Sequence, residues 1–245
     1  MQNSSPEPYS LFARYYDLAW AEYAQYCRDL ISAAEESALR PFRRICDAAC
    51  GTGLLLSLLN GSGRNLMGFD ISPAMLARAR ERLKDIPLRQ ADLQDPFPFH
   101  GPLDLVTCLH DSLNYLTEPD QLLEFFRRVR RVLAPDGVLI CDLNAPELYT
   151  AGAAQSTAGA ADDYLLDGAN IRQSMEYRRN EQIGITRLQF PGGTEVHRQR
   201  AYTREEGLQL LHTAGLHLSD VIEVEQEDAA AGAIPSGKVV YVAVK

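Results

Sequence analysis

Apolar positions along the chain follow two periods. Short strand-like runs occur at Ile45–Ala48, Leu66–Phe69, Leu88–Ala91, Leu103–Leu109, Val138–Leu143, Leu218–Val224 and Lys238–Val244. Between them lie stretches with apolar residues at helical spacing. One runs from Ser10 to about Ala38, carried by Leu11, Phe12, Tyr15, Tyr16, Tyr23, Tyr26, Leu30 and Ile31, with a break expected near Trp20. Others run to about Leu59, from Ser72-Pro73, and from Glu118-Pro119 to about Leu133. The last is apolar at Leu122, Phe125, Phe126 and Val129. A capping box, Thr203-Arg204-Glu205-Glu206, opens a helix that Gly215 stops. Strands alternating with helices predict an α/β fold: a doubly wound, mostly parallel sheet ending in an antiparallel strand.

One region breaks the alternation. Ala151–Ala161 is dominated by Ala, Gly, Ser and Thr and is expected to be a flexible loop. Strand-like pieces follow at Ile171–Tyr177, Ile183–Phe190 and Thr194–Tyr202, the last two joined by the turn Pro191-Gly192-Gly193. They predict a small antiparallel β insertion. Met175, Tyr177, Arg178, Arg187, His197 and Arg200 could line a cavity there. Out-facing polar positions on a half-exposed sheet are the plainer reading of any single one of them. Residues 1–9 are expected to be loose, and Glu225–Gly237 to form a mobile acidic loop. The division expected is an N-terminal helical cap or lid over 1–40, a core over 41–146 and 202–245, and the insertion over 147–201.

Composition narrows the function. With 245 residues, 46% of them hydrophobic, the chain can bury one sizeable core. A net charge of −9 and no basic stripe disfavour nucleic acid as a partner. No apolar run is long enough to span a membrane, and the polar start, Met1-Gln2-Asn3-Ser4-Ser5-Pro6, is no signal peptide, so a cytoplasmic protein is expected. The five cysteines are odd in number and lack zinc-ligand spacing; no metal site is expected, and they are expected to be buried thiols.

The candidate chemistry starts at Ile45-Cys46-Asp47-Ala48-Ala49-Cys50-Gly51-Thr52-Gly53, a strand turning through small residues into the helix start Leu54-Leu55-Leu56. Gly51 and Gly53 let backbone approach a ligand closely, and the helix start offers unpaired N–H groups. A dinucleotide would want a third small residue where Leu56 stands, and Asp47 would repel a pyrophosphate. A ligand with both an ammonium and a carboxylate suits the loop better.

Asp47-Ala48-Ala49-Cys50-Gly51-Thr52-Gly53 resembles the first motif of class I S-adenosylmethionine-dependent methyltransferases. Gly68 to Leu76 resembles the second motif, Gln90-Ala91-Asp92-Leu93 the third, and Leu103 to Cys108 the fourth. The resemblance covers the first two-thirds of the chain well and the last third loosely. It implies a seven-stranded Rossmann-like sheet and S-adenosyl-L-methionine as cofactor. Carried onto this sequence, it implies cofactor contacts from Asp47, Ala49, Gly51, Gly53 and Leu109. Asp70 and Ile71 fall at the ribose, Met75 on the adenine side, and Asp92 and Leu93 at the adenine. Tyr16, with Asp17, and Tyr23 match positions that contact the methionine end; a helix simply packed on the sheet also accounts for them. Phe97 and Phe99 support either the adenine pocket or the core.

Asp111-Ser112-Leu113-Asn114-Tyr115 resembles a subgroup acting on small molecules. His110 stands at that strand tip as a candidate base, or as a residue lining the pocket. The function expected is methyl transfer to an oxygen or nitrogen of a small molecule by in-line displacement; the alternative is a non-catalytic cofactor-binding protein. A nicotinamide reductase would need a Tyr-x-x-x-Lys pair, which is absent. Neither the acceptor's identity nor the oligomeric state follows from the sequence; in similar proteins the insertion roofs the site or forms a dimer contact.

Overall fold

The computed structural model describes residues 6–61, 63–157, 162–223 and 237–245. Its main sheet has seven strands: β1 (Arg44–Ala48), β2 (Asn65–Asp70), β3 (Leu88–Gln90), β4 (Leu103–Cys108), β5 (Leu133–Asn144), β10 (His217–Glu223) and β11 (Lys238–Val244). The order is β10-β11-β5-β4-β1-β2-β3. All neighbours pair in parallel except β11, which is antiparallel to both β5 and β10. The strand order reverses between β1 and β4, and ligands of open α/β sheets bind beyond the strand ends at such a reversal.

Alternate residues of each inner strand enter different hydrophobic clusters. Cys46, Met67, Val106 and Leu139 join one, with α4 (Pro119–Val132) and α6 (Arg204–Thr213). Ile45, Leu66, Leu105 and Ile140 join the other, with α1 (Tyr16–Ser37), α2 (Leu54–Leu59) and α3 (Pro73–Arg82). Covering both faces explains why these strands read as continuous apolar runs. On α4, Leu122, Phe125, Phe126 and Val129 are all buried, each contributing about 1.5–3 kcal/mol relative to exposure. Ser72 caps α3 by accepting the Met75 N–H at 3.3 Å, and the Thr203–Glu206 capping box forms as expected.

Three expectations change. Helix α1 runs through Trp20 unbroken, preceded by a 3-10 turn at Phe12–Arg14. Strand β5 begins at Leu133, so Ala134-Pro135-Asp136-Gly137 extends the strand instead of preceding it. The small-residue stretch expected to be a loop is mostly helix α5 (Pro146–Thr157). Alanine is the strongest helix former, and the small residues allow close packing: a Cβ on Gly152 would overlap Met175.

The β insertion is a separate four-stranded antiparallel sheet, β6 (Asp162–Leu166), β7 (Ala169–Arg178), β8 (Ile183–Phe190) and β9 (Gly193–Arg200), in that order. Strand β6 had no clear sequence signal. Tyr15 joins Ile171, Leu188 and Phe190 in a small third cluster beneath this sheet. Of residues 1–9, expected to be loose, 1–5 lie outside the described residues; Tyr9 is held, its N–H donating to Glu195 on β9, as do those of Leu11 and Phe12 just after it. The expectation of a mobile loop over Glu225–Gly237 falls almost wholly outside the described residues.

Candidate active site

The strand ends bring the predicted acids onto one edge. Asp47 is on β1, Asp70 ends the neighbouring β2, and Asp92 follows β3 by two residues. Between β1 and α2 the chain makes three left-handed turns, at Ala49 (φ 57°), Gly51 (φ 54°) and Gly53 (φ 72°). The two glycines serve different ends. A Cβ on Gly51 would have only the Tyr16 ring at 3.9 Å, so its bare backbone faces open space. A Cβ on Gly53 would lie 2.5 Å from Leu83 Cδ1 and 3.2 Å from Ala79 Cβ, so Gly53 lets α2 sit against α3.

A cleft at the β1/β4 reversal is lined by Tyr16, Asp47, Ala49, Cys50, Gly51, Thr52, Leu109 and His110, among others. Asp47 is buried and accepts the Thr107 hydroxyl at 2.6 Å. Burial raises its carboxyl to about 7. Asp70 accepts the Gly51 N–H and the Ser72 N–H, each at 2.8 Å. Burial raises it too, against the pull of those bonds. The acid therefore fixes the loop and keeps the outer lone pairs of both oxygens. Cys50 is buried and its thiol is pushed up by burial, as suits an inert packing residue.

The other predicted residues divide. Ile71 is 58% exposed beside Asp70. Leu93 is half-buried against the core, and Asp92 accepts the Gln94 N–H at 2.9 Å. Met75 is buried on α3. Phe97 packs edge-on against Phe69, with ring centroids 5.2 Å apart, and Phe99 is buried in the same cluster. Tyr23 is buried behind the cleft-lining His110, with its hydroxyl donating to Asp142. Asp17, next to Tyr16, accepts bonds from the Thr52 hydroxyl and Arg82, tying α1 down onto the loop.

His110 and Asp111 both take left-handed conformations, φ 58° and 51°. Asp142 on β5 holds this turn, accepting the His110 N–H at 2.9 Å and the Asp111 N–H at 2.6 Å. The His110 ring meets Tyr16, Trp20 and Tyr23, the last edge-on at 4.3 Å. Burial lowers it to about 3, so it is neutral and weakly basic.

Sequence reasoning names His197 and the Asp111–Tyr115 run but misses the other residues behind and above this turn. Lys238 is buried against Asp142 and Asp111. From the insertion, Glu195, His197 and Gln199 of β9 all point inward and are buried. Gln199 donates to Asp111 at 2.6 Å, and His197 Nδ1 lies 2.6 Å from the Tyr115 hydroxyl. Asn114, wholly buried, donates to the Asn144 carbonyl at 3.0 Å and the Arg200 carbonyl at 2.7 Å. Of the six insertion residues considered from sequence, Arg178 and Arg187 are exposed on the far side, paired with Glu176. Among the described residues no His/Cys/Asp/Glu cluster could hold a metal.

The model of a methyltransferase domain matches residues 45–137. An N,N-dimethyltransferase of dTDP-3-amino-3,6-dideoxy-alpha-D-glucopyranose from Streptomyces fradiae is 30% identical over 182 residues, 70% of this chain and 69% of that protein. The chain belongs to the S-adenosylmethionine-dependent methyltransferases. The putative methyltransferase YqeM of Bacillus subtilis is 29% identical over 227 residues, 87% of this chain and 88% of its own. An S-adenosylmethionine-dependent methyltransferase from Clostridium acetobutylicum shares the fold, with a TM-score of 0.77 at 22% identity, covering 96% of this chain and 98% of that one. Nothing among these relatives favours a non-catalytic protein.

The methyltransferase's own residues fit the cofactor. Asp47 is a buried carboxyl in a cleft whose described lining has no basic side chain other than a neutral His110. A ligand bearing an ammonium and a sulfonium supplies the missing positive charge. No helix of the described residues is long and apolar enough to cross a membrane.

Proposed function

We propose that this methyltransferase acts on a small-molecule acceptor held between the tip of β4 and the inner face of β9. The carrying observation is that the insertion sheet is bonded directly onto the β4 turn, Gln199 to Asp111 and His197 to Tyr115. That gathers polar groups around Asp111, the residue after the cleft-lining His110. A nitrogen or oxygen acceptor of amino-sugar type suits them: the S. fradiae relative is named for an amino sugar, and the groups offer hydroxyl, imidazole and amide hydrogen bonds.

In this reading Asp47 receives the cofactor's amino group, Ala49 and Gly51 admit its chain, and Asp70 takes the ribose hydroxyls. Ile71, Met75, Asp92 and Leu93 bound the adenine. Gly53 and Tyr23 support the site from behind, Tyr16 and Leu109 wall it, and α1 acts as its cap. S-adenosylmethionine, when bound, supplies an activated methyl group and its own leaving group. The chain's task is then alignment and exclusion of water, where proximity supplies most of the acceleration. His110, neutral among three aromatic rings, serves as wall more readily than as base.

Transfer of labelled methyl groups to a panel of amino sugars, other small amines, hydroxylated compounds, a protein mixture and RNA tests the reading. Label in an amine or hydroxyl compound is expected; label confined to protein or RNA would overturn it.

A further inference from the structure

The inward face of β9 carries only polar groups, which a strand does not bury without reason. Glu195 is wholly buried and accepts N–H bonds from Leu11, Phe12 (3.1 Å) and Tyr9 (3.1 Å), and the Ser10 hydroxyl at 3.3 Å. Its Oε2 lies 3.3 Å from His197 Nε2. His197 Nδ1 lies 2.6 Å from the Tyr115 hydroxyl, which is 3.0 Å from the Tyr9 hydroxyl. The Tyr9 ring in turn packs edge-on against Tyr16 at 6.0 Å, and Tyr16 walls the cofactor cleft. A continuous polar chain thus runs from the buried carboxylate to two half-buried phenols beside the cleft.

We propose that Tyr115, backed by His197 and Glu195, receives the proton that the acceptor's amine or hydroxyl sheds during methylation. This rests on the small-molecule reading above and narrows it: the acceptor atom carries a proton to lose. The acceptor nitrogen or oxygen forms its bond to the methyl carbon, and the carbon–sulfur bond breaks with its electron pair on sulfur. The acceptor's proton passes to the Tyr115 oxygen while the Tyr115 proton moves to His197 Nδ1. The imidazolium so formed points its Nε2–H at Glu195, the group positioned to offset the new charge. Carboxylate character at Glu195 is consistent with this. Burial pushes its carboxyl up, but the bonds from His197 and the Leu11 and Phe12 N–H groups outweigh that and hold it below the usual range. The titratable groups facing His197 are Tyr9 from the N-terminal segment, Tyr115 from the turn after β4 and Glu195 on its own strand. Asp111 acts on both phenols from a little further off.

Tyr115 is the catalytic residue in this scheme and His197 a positioning residue that relays through it. Two measurements test it. In the full chain with S-adenosylhomocysteine bound, the 15N spectrum of the His197 ring, assigned by its loss in His197→Asn, should show the Nε2-protonated neutral tautomer. An Nδ1-protonated ring would overturn the relay whatever the activity. With an amine acceptor from the panel, Tyr115→Phe and His197→Asn should lower kcat roughly a hundredfold near neutral pH, with KM and cofactor affinity changed little. The deficit should shrink above about pH 9, where an amine arrives deprotonated. A loss equal at every pH, or no loss, would overturn the relay alone. A wild-type protein that methylates no small molecule would overturn the acceptor reading and the relay with it.

Discussion

Lys238 Nζ lies 3.4 Å from Asp142 Oδ2, joining the first residue of β11 to the neighbouring strand β5 in a fully buried ion pair. The same ammonium reaches Asp111 Oδ1 at 3.2 Å. Burial alone would depress it, but Asp142 and Asp111 more than compensate and hold it above its ordinary value. Asp142 in turn holds the left-handed His110-Asp111 turn by two backbone N–H bonds. Lys238→Met leaves the buried Asp142 carboxylate without its cation, near the partly exposed Asp111. It should cost about 3–5 kcal/mol, the usual penalty for breaking a buried pair from one side, read by urea denaturation. A loss below about 1 kcal/mol would show that the pair does not hold the turn.

Cofactor binding should be coupled to a proton at Asp47. Its folded carboxyl is raised from 3.8 to about 7. It therefore contributes stability that is fully present below the unfolded value and lost as pH rises through about 7. A bound ammonium favours the ionised form and reverses that loss. S-adenosylmethionine affinity should thus fall by up to about tenfold per pH unit below pH 7. Calorimetry in buffers of different ionisation heat should register proton release there, and Asp47→Asn should remove the pH dependence. Proton-neutral binding at pH 6 by the wild type would refute the assignment.

The two loop glycines should fail differently. Gly53→Ala combines a left-handed Cβ with a clash at Leu83 and should destabilise by about 2–4 kcal/mol. Gly51→Ala has room and should cost only about 1–2 kcal/mol of backbone strain, yet weaken the cofactor much more. Thermal melts paired with cofactor titrations separate the two, and equal profiles would undo the distinction.

Asp70→Ala removes the acceptor for the Gly51 and Ser72 N–H groups and, in the proposed reading, a ribose partner. Cofactor affinity should drop by about 1–3 kcal/mol. Unchanged affinity by calorimetry would remove Asp70 from the site.

Burial holds His110 at about 3, below its ordinary value of 6.5. It contributes stability present above 6.5 and lost as pH falls toward 3. His110→Gln should flatten that acid decline in Tm while lowering turnover only severalfold. A fall near a hundredfold in a well-folded variant would restore it as a base.

The chain by itself determined the sheet and the cofactor loop. Its inner strands are buried on both faces, so they announce themselves as apolar runs, and Asp47, Gly51, Gly53 and Asp70 sit at fixed offsets from strand ends. Short-range signals also held: Ser72-Pro73, the Thr203–Glu206 box and the Gly215 stop act within one helical turn. Only the tertiary structure decided which way β9 faces. Along β9 the alternation of side chains is plain in sequence, but alternation gives a period and not a direction. Glu195, His197 and Gln199 could face water or the interior. They face inward because the N-terminal segment, the turn after β4 and helix α5 supply Tyr9, Tyr115, Asp111 and Tyr149 as hydrogen-bond partners. Those partners lie 50 to 186 residues away along the chain, so no local pattern could announce them. The Lys238–Asp142 pair is invisible for the same reason, since a charge in a strand is stable inside only when a distant opposite charge meets it there.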